Sequence, residues 1–140
     1  MARYVAFEKM KIGLIAQNEN TYRKEARERL GDKVVDDSNR KLAGLSAEQW
    51  QQQQLLAEQI LAELKILTPQ YDPVSPRAQA LCGLHRQWLQ FFWAEGSYSP
   101  QAHLALAEGY LADKRFAAYY DQAAPGATQF LRDALVIYCA

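Results

Sequence analysis

Apolar side chains lie on nearly every side of the segment PRAQALCGLHRQWLQFFWA, residues 76–94. Ala80, Leu81 and Cys82 are consecutive, so their side chains point in different directions around a helical wheel, and Leu84, Leu89 and Trp93 widen the apolar surface beyond a single stripe. A helix with one face in water keeps a polar face, whereas a helix that is apolar all round is buried. The segment therefore predicts the central helix of a helical core.

Signals for helix entry recur on both sides of this segment. Ser75–Pro76 and Ser99–Pro100 each place a capping serine before a proline at the first helical position. Ser46 and Gln49 have the spacing of a capping box, and Asp113 can cap a short helix. The predicted helices cover residues 3–17, 21–30, 34–42, 46–68, 76–94, 100–112, 113–120 and 125–138, and a proline-rich loop covers residues 68–76.

None of these segments alternates between apolar and polar residues as a half-buried strand does. The prediction is an all-α fold of about seven to eight helices in one domain, residues 1–140. Residues 1–45 have a high charge density and a thin apolar stripe, so they have the least burial to offset the entropy cost of ordering. We expect these N-terminal helices to be the least firmly packed and mobile.

Composition restricts the possible partners. The 140 residues include 16 basic and 16 acidic side chains, and the surplus of basic residues in positions 1–41 is only ten against seven. That surplus is far from the basic surface that neutralises DNA phosphates, so no direct nucleic-acid contact is expected. No run approaches the roughly 20 apolar residues of a membrane span, and the start does not read as a signal peptide. We expect a cytoplasmic protein that does not enter a membrane.

The sequence contains no recognisable catalytic motif, such as a zinc-protease helix, a phosphate-binding loop or a nucleophile elbow. One alternative remains, because Cys82 and His85 share a helix face and could join His103 and Cys139 in a zinc site. The spacing matches no established ligand pattern, and free cysteines commonly pack in cores. We therefore predict core packing, with no catalytic residue, no metal site and no cofactor.

Aromatic residues are concentrated in one part of the chain. Nine of the sixteen lie within residues 88–120, namely Trp88, Phe91, Phe92, Trp93, Tyr98, Tyr110, Phe116, Tyr119 and Tyr120. Apolar walls with a few polar groups are what a pocket for a bulky ligand requires. An aromatic core that holds no ligand would have the same composition, so this pattern leaves both interpretations open.

Several sequence blocks resemble the TipAS-type antibiotic-recognition domain, the effector-binding half of MerR-type transcriptional regulators that also occurs as a free-standing protein. The blocks run in order along the chain: FEKMK (7–11), NENTYRKEARERLG (18–31), SNRK (38–41), CGLHRQWL (82–89), YSPQAH (98–103), LAEGYLADKRFAAYYD (106–121) and PGATQFLRDAL (125–135). The resemblance implies a globin-like arrangement of helices around a cleft that binds bulky, hydrophobic antibiotics.

The resemblance also implies which residues contact the ligand. Carried over by position, these are His85, Trp88, Tyr98, His103, Tyr110, Phe116, Tyr119 and Tyr120. Some family members capture thiopeptides through a cysteine, but Ala105 stands at the corresponding position, so covalent capture is not expected. Leu30, Val35 and Arg23 also depart from the family pattern, so the ligand need not be one of the family's best-known ones.

Helical spacing adds a geometric hypothesis. Trp88 and Phe92 are four residues apart, and so are Phe116 and Tyr120. His103 and Tyr110 are seven apart, a spacing that also places two side chains on one helix face. We expect Trp88, Phe92, His103, Tyr110, Phe116 and Tyr120 to line one cavity.

The sequence thus predicts non-covalent binding of a bulky hydrophobic small molecule, such as a peptide antibiotic. The chain would act as a free-standing sequestering protein or as the effector domain of a regulator whose DNA-binding domain is separate. The alternative is a helical protein-interaction module that uses the same aromatic surface without a small ligand. An enzyme is the third and weakest alternative.

Overall fold

A computed structural model describes residues 32–140, and this part of the chain contains six α-helices and no strand. They are α1 (Asp32–Gly44), α2 (Ala47–Gln70), α3 (Pro76–Leu89), α4 (Pro100–Ala112), α5 (Lys114–Asp121) and α6 (Ala127–Tyr138). The predicted all-α class is confirmed. The helices predicted over residues 3–17 and 21–30 lie outside the described residues, as does most of the segment 1–45. Within residues 32–140 no helix has the length and apolarity of a membrane span.

The described residues fall into two compact units. Residues 32–53 and Leu89–Ser97 belong to the first, and Gln54–Trp88 and Tyr98–Ala140 form the second. In the first unit Leu42 and Leu45 are buried, and Lys41 Nζ donates to the Trp93 carbonyl at 2.6 Å. That bond ties the end of α1 to the segment after α3.

The second unit has a continuous hydrophobic core in which α4 packs against α5 and α6, and α5 packs against α6. Burial of these apolar side chains is the main favourable contribution to folding. The buried members are Ile60, Leu64, Leu67, Ala78, Leu81, Cys82, Ala107, Tyr110, Tyr120, Ala127, Phe130, Leu131, Ala134 and Leu135.

The helix starts follow the capping signals in the sequence. The Ser46–Gln49 capping box forms with both reciprocal bonds, at 2.9 and 3.1 Å. Ser75 Oγ and Ser99 Oγ each accept a backbone N–H of the first turn, and Asp113 caps α5. These predictions are confirmed. The caps could be predicted because each capping side chain and its amide partner are only two or three residues apart in the chain.

Four predicted boundaries are wrong by two residues, two of them in α1, which covers Asp32–Gly44 instead of residues 34–42. Helix α2 continues to Gln70 instead of ending at 68, since Pro69 in the last turn removes only one backbone bond. Tyr71, with φ of 46°, then ends the helix, and its N–H bonds the carbonyls of Leu67 and Thr68. Helix α6 begins at Ala127, not at residue 125, after Gly126 in the left-handed conformation.

The helix predicted over residues 76–94 is five residues too long. It ends at Leu89, whose carbonyl accepts from the N–H groups of both Phe92 and Trp93. Aromatic side chains lose rotamer freedom against the preceding helical turn, so three in succession continue a helix poorly. Without them α3 is not apolar all round: Arg86 and Gln87 are exposed, so one side faces water.

Candidate functional site

His85 of α3 lies at the centre of a group of aromatic rings in the second unit. Its ring is 5.0 Å from the His103 ring, centroid to centroid, and the two ring planes are within 10° of parallel. The rings of Trp88, Tyr110 and Tyr120 lie 5.7, 6.1 and 6.0 Å from His85. Helices α3, α4 and α5 therefore each contribute rings to one place.

Three further rings extend this group outward. The Phe116 ring is 5.5 Å from Tyr110, and the Tyr119 ring is 5.0 Å from Tyr120. The Tyr98 ring, from the segment before α4, lies 5.4 Å from His103. We call the whole set the aromatic cluster: His85, Trp88, Tyr98, His103, Tyr110, Phe116, Tyr119 and Tyr120.

A row of hydrogen bonds crosses the aromatic cluster. Tyr98 Oη is 2.8 Å from His103 Nδ1, and His103 Nε2 is 2.8 Å from His85 Nδ1. His85 Nε2 is 3.0 Å from Tyr120 Oη. Both ring nitrogens of each histidine are thereby engaged, as buried polar atoms require. We call Tyr98, His103, His85 and Tyr120 the relay.

Both histidines are fully buried and neutral at pH 7. Burial lowers the pKa of His85 to about 3, and the neighbouring His103 adds to the effect. Burial also lowers the pKa of His103 to about 4, helped by the positive charge of Arg86. A charged imidazole loses its hydration in an apolar interior, so the neutral form is favoured.

The phenol groups around the pair are likewise held in their neutral form. Burial raises the pKa of Tyr110 to about 12 and raises that of Tyr120 well above its ordinary value. The Tyr110 and Tyr120 rings lie 5.0 Å apart, centroid to centroid. The interior of the aromatic cluster is thus uncharged and offers no group that carries charge at neutral pH.

Four members of the aromatic cluster are accessible to solvent on part of their surface. Trp88, Tyr98 and Phe116 are half-buried, and Tyr119 is 41% exposed. They pack over or beside the buried His85, His103, Tyr110 and Tyr120. A molecule that meets this surface therefore finds flat aromatic faces first.

The structure brings together eight of the nine site residues named from the sequence. The exception is Phe92, which follows the end of α3 and belongs to the first compact unit. The prediction that Phe92 shares a helix face with Trp88 is wrong, because α3 ends at Leu89 and Phe92 lies outside the helix. Whether the predicted six side chains line one cavity stays a prediction.

Two neighbours of the cluster were missed by the sequence reasoning. The guanidinium carbon of Arg86 lies 4.3 Å from the centre of the Tyr98 ring, a cation–π contact. The Tyr138 ring of α6 lies 6.2 Å from His103. Arg86 and Tyr98 are twelve residues apart, in different elements, so no local pattern could have paired them.

The alternative of a Cys2His2 zinc site is not favoured by this geometry. His85 and His103 do meet, but all four of their ring nitrogens already hydrogen-bond Tyr98, Tyr120 or each other. In residues 32–140 no three His, Cys, Asp or Glu side chains are grouped as metal ligands would be. Burial raises the pKa of the Cys82 thiol to about 12, so it is protonated at neutral pH.

We expect the Cys82 thiol to be inert in the folded protein, because only the thiolate is an effective nucleophile. The variant Cys139→Ser leaves Cys82 as the single thiol. Its reaction with a disulfide reagent at pH 7 should be slower by at least about a hundredfold in native buffer than in guanidinium, given the extent of burial. Equal rates in the two conditions would contradict this assignment.

Sequence comparison identifies the family of this chain. A sequence model described as the TipAS antibiotic-recognition domain matches residues 22–138. The chain belongs to the TipAS family.

The chain is 31% identical over 117 residues to the HTH-type transcriptional activator TipA of Streptomyces coelicolor, and 26% identical over 131 residues to the HTH-type transcriptional activator mta of Bacillus subtilis. These matches cover 82% and 89% of the chain, but only 46% and 48% of the two relatives. The chain therefore spans about half the length of the activators it matches.

A solved structure of the same family has the same fold. It is TipAS from Streptomyces lividans in complex with nosiheptide, described as part of a thiopeptide antibiotic multidrug resistance system. The TM-score is 0.71 and the identity is 28%, with 86% of this chain and 85% of that chain covered. The family resemblance inferred from the sequence blocks is thereby confirmed.

Proposed function

We propose that this chain binds a bulky, hydrophobic antibiotic rich in flat heteroaromatic rings, without forming a covalent bond to it. The observation that carries the proposal is the aromatic cluster, found in a TipAS-family chain whose solved relative binds nosiheptide. Trp88, Phe116 and Tyr119 would stack on the ligand's rings. His85, His103 and Tyr120 would hold that surface in place from behind.

The chemistry of the cluster suits an uncharged ligand. The two histidines and the buried phenols are neutral at pH 7, so binding does not need to compensate a buried charge. Stacking on aromatic faces needs little hydrogen-bond complementarity, which fits large molecules of varied substitution. That Phe92 contacts the ligand stays a prediction.

The proposal includes no reaction. Cys82 is buried and protonated, and the ring nitrogens of both histidines are engaged with neighbouring side chains. We also propose that residues 1–140 act as one binding domain, since the family match extends across residues of both compact units. A cytoplasmic location is proposed because the relatives are transcriptional activators.

Calorimetric titration and thermal unfolding with nosiheptide test the proposal. At about 100 times its dissociation constant, a ligand that binds only the folded state adds about 2.7 kcal/mol of stability. For a domain of this size, such a gain raises Tm by several degrees. The proposal fails if neither nosiheptide nor a panel of other heteroaromatic peptide antibiotics changes Tm.

Mass spectrometry tests separately whether the ligand binds without a covalent bond. After saturation with nosiheptide, mass spectrometry under denaturing conditions should return the unmodified chain of 15.9 kDa. A mass increase equal to one ligand would contradict the absence of covalent capture. The variant Cys139→Ser would then identify whether the half-buried Cys139 is the attachment point.

A further inference from the structure

We propose that Tyr98, His103, His85 and Tyr120 form a two-state hydrogen-bond relay in which the two histidines always adopt the same tautomer. The three bonds of the relay run through consecutive ring nitrogens at 2.8, 2.8 and 3.0 Å. Each neutral imidazole carries one N–H donor and one bare acceptor nitrogen. The position of the hydrogen on one histidine therefore determines its position on the other.

Two arrangements satisfy every bond. In the inward arrangement Tyr98 Oη donates to His103 Nδ1, His103 Nε2–H donates to His85 Nδ1, and His85 Nε2–H donates to Tyr120 Oη. In the outward arrangement each of these bonds is reversed, and both histidines carry the hydrogen on Nδ1. Each arrangement contains the same number of protons.

Mixed arrangements lose the central bond. If His103 carried its hydrogen on Nε2 while His85 carried it on Nδ1, two N–H groups would face each other across 2.8 Å. The opposite mixture places two lone pairs there. Losing one buried hydrogen bond makes a state roughly ten- to hundredfold less populated, so the tautomers change together. Both imidazoles are neutral at pH 7, because burial lowers the pKa of each.

Passage between the arrangements is balanced in protons. From inward to outward, the Tyr98 hydrogen moves to His103 Nδ1, the His103 Nε2 hydrogen to His85 Nδ1, and the His85 Nε2 hydrogen to Tyr120 Oη. Tyr120 releases its original hydrogen outward, and Tyr98 gains one from outside. One proton has crossed the relay, and solvent returns it.

The direction of the relay sets the polarity of the hydroxyl at each end. In the inward arrangement the Tyr120 hydrogen points away from His85. In the outward arrangement Tyr120 Oη donates to His85, and the Tyr98 hydrogen turns away from His103. A ligand group that meets Tyr98 would therefore select one direction by being a donor or an acceptor. This last link rests on the proposed function.

Two matched variants should drive the relay in opposite directions. In the Tyr98→Phe variant, His103 Nδ1 has no hydroxyl partner. It should then carry no hydrogen, because a buried N–H group without an acceptor is rarer in proteins than a buried acceptor without a donor. Both histidines should then carry the hydrogen on Nε2. With Tyr120→Phe, His85 Nε2 becomes the bare nitrogen, and both histidines should carry the hydrogen on Nδ1.

Long-range ¹H–¹⁵N correlation spectra of the histidine rings read the tautomers directly, and the chain contains only two histidines. Tyr71→Phe is the matched control, since it removes a hydroxyl that hydrogen-bonds Asp133 instead of the relay. We expect it to leave the wild-type tautomer fractions unchanged. In each variant the decisive signal comes from the histidine that does not touch the substituted tyrosine.

The relay is overturned if the two histidines show different tautomer fractions in any sample, or if Tyr98→Phe and Tyr120→Phe give the same tautomer. The wild-type spectrum alone tests the first point, even if neither variant folds. Adding nosiheptide to the wild type tests the link to the ligand. Tautomer fractions that shift together support it, and binding without any shift overturns it. If neither nosiheptide nor the panel of other heteroaromatic peptide antibiotics binds, the proposed function fails, while the spectra without ligand still decide the relay.

Discussion

Lowering the pH from 7 to 5 should remove about 4 kcal/mol from the free energy of unfolding, about 2 kcal/mol for each buried histidine. The folded-state pKa values of His85 and His103, about 3 and about 4, lie below the ordinary value of 6.5. As the pH falls below 6.5, the unfolded chain binds these two protons and the folded chain does not. Stability is therefore fully present above pH 6.5 and decreases until the folded pKa is reached.

Among the contacts of the two imidazoles within residues 32–140 there is no counter-ion that would prevent this loss. The groups that face them there are phenols or a guanidinium, namely Tyr98, Tyr110, Tyr120, Tyr138 and Arg86. The ion-paired carboxylates of Asp37 and Glu63, whose pKa values are lowered by Lys33 and Arg77, lose their charge only below this pH window. The loss between pH 7 and 5 can thus be assigned to the histidines.

Urea unfolding at pH 7, 6 and 5 measures the effect. Since total stabilities are about 5–15 kcal/mol, a loss of this size is a large fraction of the total and is readily measured. His103→Gln keeps hydrogen-bonding groups but does not titrate, so it should halve the dependence of stability on pH. One titrating histidine changes the free energy of unfolding by about 1.4 kcal/mol per pH unit near pH 5. A smaller change per pH unit in the wild type would contradict the prediction.

Replacing Trp88 by alanine should weaken antibiotic binding by about 2 kcal/mol or more, roughly thirtyfold in Kd, if the indole is an anchor of the site. Trp88 is half-buried, and its ring is tilted against the buried His85 at 5.7 Å. It therefore combines an accessible aromatic face with a rigid support. Such supported aromatic side chains contribute strongly to binding, since little entropy is lost when they are covered.

The effect on binding must be separated from the effect on folding. Titrations with nosiheptide should be made at a temperature where urea unfolding shows each variant to be folded. Trp50→Ala is the matched control: Trp50 is also half-buried, but it lies in α2 and is not among the predicted ligand contacts. Trp88→Phe keeps a flat ring and should recover part of the affinity. Equal Kd values for the Trp88→Ala and Trp50→Ala variants would remove Trp88 from the site.

The starts of the helices could be predicted from the sequence because their causes are local. Ser75, Ser99 and Asp113 cap amides two or three residues further along the chain. The end of α3 at Leu89 was missed, because the apolar residues 91–93 extend the helical pattern although three successive aromatic side chains continue a helix poorly. The predicted boundaries were accordingly correct at these caps and wrong beyond Leu89.

The features of the candidate site also separate into those that local sequence predicts and those that depend on tertiary packing. The all-α class, the aromatic density of residues 88–120 and the family membership were all accessible from residue types and their order. The relay was not, because His85 is 18 residues from His103 and 35 from Tyr120. Helical periodicity states which side chains share a face of one helix, but not which ring nitrogen meets which hydroxyl on another. A difference of 1 Å in how α3, α4 and α5 pack would break those hydrogen bonds, so only the tertiary structure decides that they form.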